Sequence, residues 1–205
     1  MKKIGSFFSS LLFAGCSVFG IRTTPEPPYE VTEQDGPIEV RQYEPQVLAE
    51  TVVEDDHDEA GSKAFRRLAG YIFGKNQSQQ QIAMTAPVLQ QEASEAIAMT
   101  APVLQRDAES GWWMAFILPA DISLASAPKP IDTRVHLREI PGRKLATLRY
   151  GGLNSPEKLE RFAGELNQWL KVRGLRPVGE PTMASYDPPW TVWFMRRNEV
   201  QIELE

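Results

Sequence analysis

The residue whose surroundings speak most directly of chemistry is the single cysteine, Cys16. Met1, Lys2 and Lys3 precede an apolar stretch that ends Leu12-Phe13-Ala14-Gly15-Cys16. A charged start, a short apolar run and small residues before a cut describe a secretory signal. The run is too short to span a bilayer, which takes about 20 residues. Small residues followed at once by Cys resemble a lipobox, in which the thiol is acylated and the Cys becomes the new amino terminus. Each buried acyl methylene contributes about 0.8 kcal/mol and one chain binds only reversibly, so two or three chains on Cys16 would hold the protein to a membrane. Ser17 after the Cys fits sorting to an outer membrane where the cell has one.

The remaining reactive side chains carry less. His57 sits in the acidic run Glu54-Asp55-Asp56-His57-Asp58-Glu59 and is expected in solvent with raised proton affinity. His136, between Val135 and Leu137 and near Arg134 and Arg138, is also expected to face water. Met84 and Met99 share a face with Ile82 and Ile97, the pattern of gap-filling core methionines. The chain has no H-E-x-x-H, G-x-S-x-G, C-x-x-C, Walker or dinucleotide glycine pattern. No pair of carboxylates is set apart by spacing for acid and base work. The formal net charge is −5, and removal of Lys2 and Lys3 would make the body more acidic. That argues against a nucleic-acid groove, which needs a cationic stripe, and against a basic membrane patch.

The elements that must position these groups follow from periodicity. Residues 17–36, with Thr23-Thr24-Pro25-Glu26-Pro27-Pro28, read as an extended tether. Alternation in 38–43 and a β-rich run in 47–53, interrupted at Pro45, predict a hairpin over 38–53. Ala60, Ala64, Phe65, Leu68, Ala69, Ile72 and Phe73 recur at spacings of three and four and predict a helix over 59–73, stopped by Gly74. The run Ile82-Ala83-Met84-Thr85-Ala86-Pro87-Val88-Leu89-Gln90 recurs at 97–105. Trp112 to Leu118, apolar on both faces, reads as a central strand. The order then repeats: a hairpin over 135–150 turning at Pro141-Gly142, a helix opened by Ser155-Pro156-Glu157 and closed at Gly174, and strands over 179–186 and 191–204. An α+β fold of two ββαββ units about a pseudo-twofold axis results, the strands forming one antiparallel sheet or barrel with a helix over each half.

Several stretches resemble the SOUL/haem-binding family in order and spacing: Glu39-Val40-Arg41-Gln42-Tyr43, Tyr71-Ile72-Phe73-Gly74-Lys75-Asn76, Ile82-Ala83-Met84-Thr85-Ala86-Pro87-Val88, Tyr186-Asp187-Pro188-Pro189-Trp190, and Arg196-Arg197-Asn198-Glu199-Val200. The resemblance spans about residues 29–204, and the doubled run is similar to prokaryotic members. It implies a distorted antiparallel β-barrel with two flanking helices and a haem or porphyrin held at an open apolar surface. It also implies kinship with effector-binding domains, which keeps a non-haem ligand open.

A haem needs an apolar platform, cations for its propionates and, optionally, an axial side chain. The resemblance directs attention to the outward margin of the first helix: Phe65, Ala69 and Ile72 under the ring, with Leu68 and Ala64 nearer the sheet. Propionate partners would come from Lys63, Arg66, Arg67 or Arg197. Gln42 stands where some members carry a strand histidine, so haem or porphyrin binding without a strong axial protein ligand is expected. The Arg196-Arg197-Asn198-Glu199 corner is expected to be a structural hydrogen-bond node. The resulting expectation is a signal peptide over 1–16, a tether over 17–36 and a binding domain over 37–205. Together they would make a non-enzymatic, envelope-anchored tetrapyrrole carrier with no nucleic-acid partner, facing the periplasm. An enzyme acting on a hydrophobic small molecule between the halves, or an adaptor lipoprotein, are the alternatives.

Overall fold

The computed structural model describes residues 24–92, 111–187 and 191–205. Cys16, the 97–105 repeat with Met99, and Trp190 lie outside them. Nine strands form one antiparallel sheet: β1 (Tyr29–Asp35), β2 (Ile38–Tyr43), β3 (Gln46–Val53), β4 (Val88–Glu92), β5 (Trp112–Ile117), β6 (His136–Ile140), β7 (Arg143–Gly151), β8 (Pro177–Ser185) and β9 (Arg197–Leu204). Two helices, α1 (His57–Ile72) and α2 (Pro156–Arg173), follow β3 and β7. A 3₁₀ turn, Trp193–Met195, precedes β9.

The sheet order is β1-β2-β7-β9-β8-β4-β5-β3-β6. Exchanging β2 with β6, β3 with β7, β4 with β8 and β5 with β9 reverses that order onto itself, with β1 left as an extra edge. The two ββαββ units and their pseudo-twofold relation are therefore present, and the axis passes between β4 and β8. The expected hairpins are not. β2 pairs with β7, and β3 pairs with β6. Each unit thus lends its first strand, β2 or β6, to the edge of the other, while β3 stays beside β5 and β7 beside β9.

The reason lies at two corners. Pro45 cannot donate to a ladder and stops β2 from folding back on β3. The facing corner, Pro141-Gly142, comes so close that a Cβ on Gly142 would stand 2.9 Å from the Tyr43 carbonyl oxygen. The sheet also remains open, with β1 and β6 as its edges, so the expected distorted barrel is corrected to an open nine-stranded sheet. The folded part begins earlier than the expected residue 37, because Tyr29 to Asp35 add β1 to β2.

Local chemistry fixes the helices. The Asp56 carboxylate accepts the Glu59 amide at 3.0 Å, an N-cap for α1. Ser155 caps α2, with Pro156 in its first turn and Gly174 ending it at φ 69°, a left-handed position that glycine adopts without strain. Both helices lie on one face of the sheet. Under α1, Ala60, Ala64, Leu68 and Ile72 pack on Val47, Ala49, Met114 and Phe116. Under α2, Ala163, Leu166 and Leu170 pack on Val40, Ala146, Leu148 and Ile202. The opposite, inner face carries a third apolar cluster around Leu48, Leu89, Trp113 and Ala184. No helix among the described residues is long and apolar enough to cross a membrane.

Candidate functional site

Successive residues of a helix stand about 100° apart, and this divides α1 into a floor, two flanks and a crest. The floor, including Ile72 at 1 % exposure, is core. Ile72 thus supports the surface from beneath, in place of the ring contact expected of it. Phe65 and Ala69, one turn apart, form one flank. Both are half-buried and packed on the core, Phe65 through an edge-on contact with Phe116 at 5.4 Å between ring centroids. The apolar stripe is therefore not wholly sealed, although what it leaves in water is narrow.

Arg66 stands on the crest, a helical neighbour of both Ala69 and Gly70. It is exposed and has no ion-pair partner among the described residues. Lys75 is likewise exposed and unpaired, its stem lying across Gly70, where a Cβ would stand 3.2 Å away. Lys63 is different. Its ammonium is held by Asp55 at 2.7 Å and Glu59 at 3.0 Å, and both carboxylates raise its proton affinity. Arg67 turns to the opposite flank and donates to Thr51 Oγ1 at 2.6 Å and to the Val52 carbonyl at 3.1 Å. There it joins Tyr71, Pro130, Asp132 and Val135 in a cleft of about 90 Å³ that also reaches Arg66 and Lys75.

That volume is far below the roughly 300–1,000 Å³ of an enclosing small-molecule pocket. A porphyrin does not fit inside the cleft. The residues do fit a one-sided seat, with an apolar flank for the ring and unpaired cations on the crest for its carboxylates.

Axial candidates are poorly presented. Gln42 is exposed and its amide donates to the Tyr43 carbonyl. His136 lies opposite Glu50 on β6, exposed, on the face away from α1. Met84 is packed against the core beneath α1. His57 departs from the expectation of a solvated side chain: its ring stands edge-on to Trp112 at 4.7 Å, Nδ1 lies 3.0 Å from Asp58 Oδ1, and Nε2 is buried with no partner among the described residues. Its acidic neighbours concealed this in the sequence, because the partner ring is supplied by β5. No group of three or more His, Cys, Asp or Glu suited to a metal ion occurs among the described residues.

The inner face holds a network that sequence spacing only partly disclosed. Glu199, at 0 % exposure, accepts two bonds from Arg41 at 2.8 and 2.9 Å, two from Arg197 at 2.7 and 3.1 Å, one from the Tyr186 hydroxyl at 2.7 Å and one from the Gln201 amide at 3.2 Å. Burial alone would raise the Glu199 pKa, but bonds and charge from Arg41 and Arg197 outweigh it and bring the carboxyl down to about 2. Burial, and then the Glu199 charge, push the Tyr186 hydroxyl well up. Asn198 donates to the Gly152 carbonyl at 2.7 Å. The corner is thus a hydrogen-bond node, as its sequence suggested. Glu199 is saturated with donors and Tyr186 is held protonated, so neither is poised as a general base.

Residues 24–203 match the model of the SOUL heme-binding protein family. Heme-binding protein 2 of Mus musculus is 26% identical over 186 residues, covering 86% of each chain. Heme-binding protein 2 of Homo sapiens is 27% identical over 188 residues, covering 87% of each. Among solved structures, the EcmrR C-terminal domain superposes with TM-score 0.59 at 12% identity, over 86% of this chain and 98% of that one. A structure described as a hydrolase from Listeria innocua gives 0.58 at 14%, over 82% and 91%. At such identities these two establish the shared fold alone. With a family match over nearly the whole described domain and two heme-binding relatives of like length, the chain belongs to the SOUL heme-binding family.

Proposed function

We propose that this protein is a non-enzymatic carrier of haem or a related tetrapyrrole, seated on the outward side of α1 and tethered to the cell envelope through acylated Cys16. Family membership supports the ligand class. The observation that carries the placement is the conjunction on α1 of a half-open apolar flank, Phe65 and Ala69, with a crest cation, Arg66, that has no partner among the described residues. The ring would cover Phe65 and Ala69, and its carboxylates would reach Arg66 and Lys75. Lys63 and Arg67 take a lesser part, since Asp55, Glu59 and Thr51 already engage them. The bound group supplies the redox and optical properties, while the chain's own residues orient it and shield one face from water. A one-sided seat pays the full cost of association for a limited buried area, so affinity near the micromolar range is expected.

Absorption titration with hemin tests this reading. A Soret shift saturating near one equivalent is expected. Phe65→Asp and Arg66→Glu, each with an unchanged circular dichroism spectrum, should each weaken binding about tenfold or more. A titration unchanged in both variants would move the site off α1, and no shift in the parent would remove the ligand. Release of the Cys16→Ser protein into the soluble fraction tests the anchor separately.

A further inference from the structure

The strongest unexplained feature outside α1 is an apolar cap at one end of the β7–β9 ladder. Trp193 and Phe194 in the 3₁₀ turn are 60% and 63% exposed, and Leu153, in the loop leaving β7, is 53% exposed. The two aromatic rings meet edge-to-face at 5.5 Å. The two loops belong to one surface. Gly151 and Arg197 form the last pair of the ladder, and a Cβ on Gly151 would lie 3.8 Å from the Phe194 carbonyl oxygen. Lys158 closes the rim by donating to the Leu153 carbonyl at 2.5 Å.

The amino-terminal segment is fastened beside this cap. Arg197, two residues beyond the 3₁₀ turn, binds Glu26 at 2.9 Å. The Pro25 carbonyl accepts the Ala86 amide at 3.0 Å. Cys16 stands ten residues upstream of Glu26, and ten residues reach at most about 33–36 Å. An anchor on Cys16 therefore holds this end of the sheet within a few nanometres of the lipid surface. Indole and phenyl rings beside a lysine are the side chains that settle at the headgroup boundary, apolar bodies inward and polar tips outward.

We infer that Trp193, Phe194 and Leu153 form a membrane-docking surface that enters the interface of the bilayer carrying the anchor. Docking there fixes the orientation of the domain on the membrane. The inference rests on the anchored reading of Cys16 for its direction, but it is tested without the anchor. The full chain with Cys16→Ser is mixed with phosphatidylethanolamine–phosphatidylglycerol vesicles whose acyl chains are brominated. Cosedimentation at millimolar lipid and quenching of tryptophan emission are expected. Trp193→Ser with Phe194→Ser in the same background should lower partitioning at least tenfold and remove the quenching, leaving the hemin titration unchanged as a check on folding.

Equal partitioning of the two proteins, or no partitioning of either, overturns docking. So does a concentration-dependent dimer in sedimentation velocity that the double substitution abolishes without any vesicle binding, which would give the cap to a second copy. Vesicle binding by the Cys16→Ser protein, together with a natural chain that carries no acyl group, would leave docking standing and sink only the anchor.

Discussion

Glu199 is the residue on which the inner face depends. It bridges Arg41, itself 2% exposed and also paired with Glu39, and Arg197, which is also paired with Glu26 and stacks on the Tyr186 ring at 3.9 Å. Removing one partner of a buried ion pair leaves an uncompensated charge and costs about 3–5 kcal/mol. Glu199→Gln is therefore expected to lower unfolding free energy at neutral pH by about that much in urea titrations. The same group carries a pH signature. Its folded-state pKa of about 2 lies below the ordinary value of 4.5, so the unfolded chain takes up the proton first. The stabilisation is complete above about pH 4.5 and fades as pH falls toward 2. In Glu199→Gln this part of the acid-unfolding slope should disappear. An unaltered slope would show that other carboxylates carry it. At the α1 surface the contrast between Lys63 and Arg66 shows the same logic in reverse. A cation already satisfied by Asp55 and Glu59 has little to gain from a ligand carboxylate, whereas a solvated guanidinium beside an apolar flank gives up only water.

Among the elements, the crossing corners matter most. Most strands were legible from alternation, β1 excepted, since 29–35 was read as tether. Both helices were legible from spacing and caps: Asp56 and Ser155 do at their N-termini what their residue types suggest. Pairing was not legible. Pro45 and Pro141-Gly142 look like turns that close hairpins, and in the fold they are corners at which chains pass from one unit to the other. Alternation reports which face a side chain takes and is silent about which strand lies alongside. Gly142→Ala tests the crossing. The added methyl would press on a backbone carbonyl that cannot turn aside, so a loss of about 1–3 kcal/mol is expected, in the range of overpacked cores. A thermal midpoint equal to the parent's would mean that the corners are looser than described.

The whole molecule is an interlock. Each unit keeps three strands together, β3-β5-β4 and β7-β9-β8, but its first strand, β2 or β6, lies on the other unit's sheet, so neither unit is complete alone. A fragment comprising residues 24–130 is expected to stay unfolded, with poorly dispersed amide resonances, and to gain structure only when residues 131–205 are added. Independent folding of either fragment would refute the interlock. The open sheet edge at β6 and the single-sided seat on α1 follow from the same layout, since both helices occupy one face and leave the flank of α1 uncovered by any second layer among the described residues.

Residue order alone determined both helices, the ββαββ repeat and the family, because each is written in local periodicity, capping chemistry or contiguous motifs; it did not disclose β1, which lies in the stretch read as tether, or the 3₁₀ turn at 193–195, which lies in one read as strand. The polar corner at 196–199 was also legible as a node. Only the tertiary structure decided that Ile72 belongs to the core, that His57 leans on Trp112, that Lys63 is occupied while Arg66 is not, and that Glu26 is fastened beside Trp193. Each of these depends on a partner between eight and about 170 residues away or on the opposite side of a helix. Periodicity assigns a side chain to a face, and only packing shows how much of that face remains in water.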